Sequence, residues 1–348
     1  MGTRRRRVSV IYFISKLVKW DDLYMELISK CTQEQIARAA QAVKDGHLVA
    51  FPTETVYGLG ADATNENAVN RIYAAKGRPS NHPIIVHISS VDQIYNWARD
   101  VPNFALDLAS SYWPGPMTLI LKKSGLVQGF VTGGQDNIGL RVPNHWLAQE
   151  LLKEFKSLGG LGIAAPSANK FGAVSPTTAA SVVDELGNYL QAEDLILDGG
   201  DCEVGIESTI IDCTKESPLV LRPGAITLEM IEHLVGFRLK SSDSKNQIRA
   251  SGLLESHYSP MAKVVIDSSA FPEDGFIALA EIPTPTGAIR LAAPSNIKEY
   301  ANVLYKALRL GDQKGVKRIV AVQPAGEGLA TAIRDRLRKA AGGNQGAE

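Results

Sequence analysis

The chain has 348 residues, enough for one to three domains with a sizeable core. Its 37 Lys+Arg are matched by 37 Asp+Glu, which excludes a basic excess of the kind that grips nucleic acid non-specifically, though not a local basic patch. Apolar residues at 45% and charged residues at 21% suit an ordinary globular protein, and no apolar run nears the roughly 20 residues of a bilayer span.

The start of the chain loosely imitates a signal peptide, with Arg4 to Arg7 ahead of VSVIYFIS. Lys16 and Lys19 interrupt the apolar stretch and no small-residue cleavage site follows, so residues 1–30 read as a non-essential extension that adds nothing to the fold. Met25 opens a more ordinary start. Cys31, Cys202 and Cys213 form no CxxC and no zinc spacing, which reads as idle thiols in a reducing cytoplasm.

Thr32 to Gln35 spells a capping box, and Ile36, Ala39, Ala40 and Val43 follow it at helical spacing up to Gly46. Residues 48–51 make a short strand that Pro52 ends, leaving Thr53, Glu54 and Thr55 where the chain exits a sheet. A helix over 67–76 sets Val69, Ile72, Tyr73 and Lys76 on one face. Strands follow at 83–88, 118–121, 161–165, 194–197 and 208–212, with helices near 146–155 and 177–186. Trp113-Pro114-Gly115-Pro116 is a rigid turn before the 118–121 strand. This alternation predicts an α/β sheet domain over 31–235. Residues 236–252 are polar and Ser/Lys-rich, a linker that extends to about 260. A small α/β unit over 261–342 comes next, with strands at 263–267, 275–280 and 317–322. One of its helices carries Ile297 to Leu308 and another Leu329, Ile333 and Leu337.

Polar residues recur inside apolar runs marked by glycine and proline. The runs are FPTETVYGLGAD (51–62), KGRPSNHPIIVHI (76–88), RVPNH (141–145), APSANKFGAVSPT (165–177), GIESTIID (205–212) and LRPG (221–224). They supply fixed cations, hydroxyls and backbone N–H groups without an obvious nucleophile–base pair. That inventory suits binding a nucleoside triphosphate and a small polar partner better than hydrolysis. Lys76 and Arg78, separated by Gly77, can clasp one anion, although a lysine there also complements a helix terminus. Arg141 alone would read as a surface ion-pair residue and Ser-Ala-Asn as a turn. His87 in an apolar strand would read as a satisfied core histidine, and Glu54 and Glu207 as structural.

Taken together these motifs resemble the YrdC-type domain of L-threonylcarbamoyladenylate synthases over residues 31–227, and SGLLESHYSP (251–260) leads into a unit similar to the C-terminal domain of the two-domain form. PTETVYGLG, KGRP, WPGPMT, RVP, PSAN, SPT, GIESTI, LRPG and HYSP occur in the family's order. The extra N-terminal stretch is the departure. The resemblance implies a YrdC-type open twisted mixed sheet with helices, followed by a small Rossmann-like C-terminal domain. It implies that L-threonine, bicarbonate or CO2, and ATP become threonylcarbamoyl-AMP and pyrophosphate. Other proteins would then transfer the threonylcarbamoyl group to tRNA. It implies a cytoplasmic protein with no membrane partner, no organic cofactor, and Mg2+ arriving with ATP near Asn169, with no direct protein ligand assigned.

The same resemblance places Lys76 and Arg78 as the catalytic triphosphate clamp. ATP contacts fall on His82, Asn137, Asn169, Ser175, Thr177, Arg222 and Tyr258, and threonine contacts on Thr53, Thr55, His87, Arg141, Ser167 and Ser208. Tyr258 makes residues 236–260 either a lid over the cleft or a plain tether. The rivals are a double-stranded RNA-binding module and a subdomain of a larger carbamoyltransferase; the second calls for paired CxxC motifs that this sequence lacks.

Overall fold

The computed structural model describes residues 16–20, 23–29, 31–239, 248–250, 252 and 257–342, with backbone alone through residue 29. The remainder of the extension and of the 236–260 linker lies outside the described residues.

The first domain opens with the strands β1 (Lys16–Trp20) and β2 (Leu23–Ser29), then α1 (Gln33–Lys44), β3 (Val49–Phe51), β4 (Gly58–Asp62) and α2 (Glu66–Lys76). Next come β5 (Val86–His87), α3 (Ile94–Trp97), α4 (Asn103–Tyr112), β6 (Met117–Lys122), α5 (Gly129–Thr132) and β7 (Asn137–Arg141). It continues with α6 (Trp146–Ser157), β8 (Ile163–Ala164), α7 (Ala179–Leu186), β9 (Leu195–Asp198), β10 (Thr209–Asp212), β11 (Leu219–Arg222) and α8 (Leu228–Val235). The second domain holds β12 (Lys263–Ile266), β13 (Gly275–Ile277), β14 (Ile289–Ala292), α9 (Ile297–Gln313), β15 (Arg318–Ala321) and α10 (Leu329–Gly342).

The large sheet is mixed, in the order β1-β2-β9-β3-β4-β8-β5-β7-β6-β10-β11. The small sheet, β12-β15-β13-β14, is parallel throughout and packs on α9 and α10, as in a Rossmann-like unit. The fold class therefore matches the expectation. The reading of residues 1–30 as adding nothing to the fold does not. β2 pairs in parallel with β9, from Glu26 opposite Leu195 to Ser29 opposite Asp198, and covers what would otherwise be the sheet edge.

Local rules explain the elements around the site. Thr32 and Gln35 make both bonds of the capping box at the start of α1. On β3, Leu48 and Ala50 face one core while Val49 and Phe51 face another with α1 and α6, the two-residue period of a sheet covered on both sides. Gly77 caps α2 in the left-handed region at φ 62°, which turns the chain abruptly from Lys76 to Arg78. The second domain's apolar core takes in Val56, Val174, Ile206 and Tyr258, so the two cores meet beside the motifs. Asn302 of α9 donates to the carbonyls of Cys202 (2.8 Å) and Glu203 (2.9 Å), and Lys306 pairs with Asp201 at 2.7 Å.

Candidate active site

A small cavity of about 50 Å³ lies where the motifs converge, and Arg78, Arg141 and Arg222 all reach its wall. Gathering three guanidinium groups in so small a space is costly unless an anion is meant to join them.

Thr53 and Thr55 line the turn after β3. Their hydroxyls lie 2.7 Å apart, and Thr53 Oγ1 also donates to the carbonyl of Val56 at 2.7 Å. Between them Glu54 points away and pairs with Arg141 at 2.8 Å, both side chains almost fully buried. Glu54 also accepts from the backbone N–H of Asn144 at 3.0 Å, and Arg141 Nε donates to the carbonyl of Gly115 at 3.3 Å. Arg141 is thus aimed by a carboxylate behind it, the structural role expected of Glu54.

His87 ends β5 directly opposite Arg141 on the parallel strand β7, and both line the cavity. Burial, with Arg141 nearby, pushes the His87 imidazole down to about 3, so the ring is neutral at ordinary pH. Its Nδ1 is buried without a hydrogen-bond partner among the described residues. Ser167 lines the same wall and bridges to Gly58. Ser208 shares a 2.8 Å hydrogen bond with Thr118 and accepts from Arg222 at 3.1 Å. Arg222 donates again to the Ser208 carbonyl at 3.0 Å. Arg78 donates to the carbonyl of Pro83 at 2.8 Å and lies over the Phe171 ring; burial lowers it to about 10.

The described part of the linker forms one side of the cavity. Gly252, His257 and Tyr258 line it, and Tyr258 is 1% exposed with φ 63°. Gly252 has φ +75°, and a Cβ there would sit 2.2 Å from the Tyr258 hydroxyl, so only glycine lets the linker close on that ring. The Tyr258 hydroxyl itself is buried and has no hydrogen-bond partner among the described residues.

Other expected residues lie near the cavity but outside its wall. Lys76 is buried, and its Nζ donates to the carbonyl of Ser167 at 2.6 Å and to that of Asn169. Burial, then Arg78, holds it well below the usual lysine range. Asn169 donates to Lys170 and Ala173 carbonyls at 2.6 and 2.8 Å, leaving Oδ1 buried and without a partner among the described residues. Ser175 donates to Glu207 at 2.6 Å, while the Thr177 hydroxyl is buried without a partner among the described residues. His82 packs edge-on against Phe171 at 5.3 Å. Asn137 lines an adjoining hollow with Ile85, Ile120, Arg249 and Ala250.

Three contributors escaped the sequence reading. His257 belongs to the HYSP motif, from which the resemblance implies a role for Tyr258 alone. Tyr305 and Arg336, from the second domain, donate to Glu207 at 2.8 Å each. The available signal was the position of Arg336 one residue before Leu337 and three after Ile333, a charge on an apolar helix face.

Fold and cavity define the class: a two-domain α/β protein whose larger domain holds an arginine-lined pocket, closed by the chain that leads into a Rossmann-like domain. Residues 41–224 match the family model described as "Telomere recombination" (Sua5_yciO_yrdC), and residues 226–342 match "Threonylcarbamoyl-AMP synthase, C-terminal domain". The threonylcarbamoyl-AMP synthase of Pyrococcus abyssi is 40% identical over 327 residues, which cover 88% of this chain and 94% of the relative. That of Bacillus subtilis is 38% identical over 331 residues, covering 89% and 93%. The crystal structure of P. abyssi Sua5 complexed with L-threonine aligns with a TM-score of 0.80 at 37% identity, covering 91% of this chain and 98% of that one. The chain belongs to the threonylcarbamoyl-AMP synthase family, in its two-domain form.

Among the described residues, no helix is long and apolar enough to cross a membrane.

Proposed function

We propose that this chain joins L-threonine, CO2 or bicarbonate, and ATP into L-threonylcarbamoyl-AMP, releasing pyrophosphate, and that the product serves threonylcarbamoyladenosine formation in tRNA. The observation that carries the reading is the convergence of Arg78, Arg141 and Arg222 with Thr53, Ser167 and Ser208 on one cavity, in a chain akin to named synthases along nearly its whole length. The family likeness and the P. abyssi complex with L-threonine support the enzyme reading and lend nothing to an RNA-binding module.

The roles follow from chemistry. Arg141, held by Glu54, takes the threonine carboxylate through a paired fork of donors. Thr53, Thr55, His87, Ser167 and Ser208 supply polar contacts to its amine and hydroxyl. The amine nitrogen bonds to the carbon of CO2 and loses a proton, giving a carbamate. A carbamate oxygen then attacks the α-phosphorus, and the bond to the bridging oxygen of pyrophosphate breaks. Little covalent chemistry falls to the protein. It holds the reactants in line and neutralises phosphate charge, tasks for Arg78 and Arg222. Lys76 serves the same end by fixing the Ser167–Asn169 backbone. Tyr258 closes the cavity and excludes water from a hydrolysable mixed anhydride.

A divalent cation, when bound with ATP, would neutralise phosphate charge. Among the described residues no group of three or more His, Cys, Asp or Glu lies together to hold a metal. The Asn169 Oδ1, without a partner among the described residues, offers one oxygen, which fits magnesium carried mainly by phosphates and water. The reading is tested with labelled bicarbonate. The label should enter a product that also contains threonine and AMP; label recovered only as bicarbonate would refute it.

A further inference from the structure

Glu207 is an anomaly in this cavity. It lines the cavity that should receive a polyanion, together with Arg78, Arg141 and Arg222. An uncompensated carboxylate there would repel phosphate strongly, because charges couple more tightly in a poorly hydrated site. The charge compensation comes from the other domain: Glu207 accepts from Arg336 Nε and from the Tyr305 hydroxyl at 2.8 Å each, while Ser175 of its own domain adds a neutral hydrogen bond at 2.6 Å.

Arg336 does not itself line the cavity, yet it touches three segments that do. It binds the Glu207 carboxylate, donates to the carbonyl of Pro223 at 3.2 Å next to Arg222, and sits 5.2 Å from the centre of the Tyr258 ring. Tyr258 also packs on Tyr305, stacked at 5.6 Å. Arg336 is fully buried, so its charge cannot be screened by water. Packing alone does not require such a pair, since apolar residues of similar size often serve stability as well or better.

We infer that Arg336 is a positioning residue by which the second domain sets the charge of the first domain's cavity: it cancels Glu207 and seats Tyr258, so that an incoming phosphate meets Arg78 and Arg222 without repulsion from that carboxylate. The inference rests on the reading of the cavity as a triphosphate site. It gives the second domain a task in nucleotide binding rather than in stability alone.

The test is ATP binding to the full chain by titration calorimetry at fixed salt, for wild type, Arg336→Gln, and Arg336→Gln combined with Glu207→Gln. The first variant should weaken ATP by about tenfold or more while changing threonine affinity far less. The double variant, which restores neutrality with two amides, should recover ATP affinity to within about threefold of wild type. Unchanged ATP affinity in Arg336→Gln would overturn the inference, as would a double variant no better than the single, because either marks a packing role. If the single variant does not fold, the double decides: near-wild-type ATP affinity supports the inference, and lost affinity or a failure to fold overturns it. A wild-type chain that binds no ATP would sink the functional reading and this inference together. Wild-type binding with an indifferent Arg336→Gln would sink the inference alone.

Discussion

Lys76 reaches across to the backbone of Ser167, its Nζ donating to that carbonyl at 2.6 Å, and a second donation goes to the carbonyl of Asn169. The ammonium therefore braces the loop that presents Ser167 to the cavity, whereas Arg78, two residues on, stands in the cavity wall. Substituting each should separate the two effects. Lys76→Ala leaves two carbonyls short of a donor and should lower stability by roughly 1–3 kcal/mol as well as impair turnover. Arg78→Ala should keep most of the stability and raise the ATP requirement, with a loss of about 2–4 kcal/mol in transition-state stabilisation. Calorimetric melting alongside steady-state kinetics checks both. Equal melting temperatures for wild type and Lys76→Ala would refute the brace.

The pairing of Arg141 with Glu54 predicts a different signature. Arg141→Ala should raise the threonine KM about tenfold to a hundredfold, as expected for losing hydrogen bonds to a charged group, with a smaller change for ATP. Glu54→Gln keeps a partner beside the guanidinium and should raise the threonine KM less. Kinetics with each substrate varied in turn would show this; an effect confined to ATP would move Arg141 out of the threonine subsite.

Burial lowers His87 and His257 to about 3 each, while an unfolded chain protonates histidine near 6.5. Between those values the unfolded state binds more protons than the folded one. Stability must then rise with pH, complete above about 6.5 and eroding as pH falls, by roughly 1 kcal/mol per pH unit for each ring. His82 and His145 are lowered as well and add in the same direction. Denaturant melts between pH 5 and 6.5 should show the slope, and His87→Gln should make it shallower. An identical slope in that variant would show that His87 charges freely in the folded chain.

The N-terminal strands make a truncation series informative. Every pairing of β2 with β9 lies between Glu26 and Ser29. A chain beginning at Met25 loses β1 but keeps that ladder, and should melt within a degree or two of the full chain. A chain beginning at Cys31 loses the ladder, bares β9 as an edge, and should melt lower and aggregate more readily. If both truncations melt like the full chain, β2 adds nothing to the domain.

The first strand after α1, the capping box at Thr32 and the helix ending at Lys76 were legible because local pattern and tertiary role agree there. β4 was not. Gly58 and Gly60 look like loop residues, yet a Cβ on Gly60 would lie 2.7 Å from Ile163, so glycine is what allows the strand to sit so close to β8. β14 was also missed, since Arg290 breaks its apolar run while bonding inward to the carbonyls of Ala278 and Leu279. The cavity residues were legible as motifs, but their aim was not. Spacing does not say that Lys76 turns to a backbone loop, or that Glu207 is answered from more than a hundred residues away by Arg336. The first contact depends on how distant segments of the large domain pack and the second on how two domains meet, which no local period encodes.

The most direct measurement of the central claim is pyrophosphate release from ATP with threonine and bicarbonate supplied together and each omitted in turn. The attacking oxygen belongs to the carbamate that the two form, so release should require both. Valine should replace threonine poorly, because a site that bonds the hydroxyl penalises its absence. Release that proceeds without bicarbonate, or equally well with valine, would contradict the account.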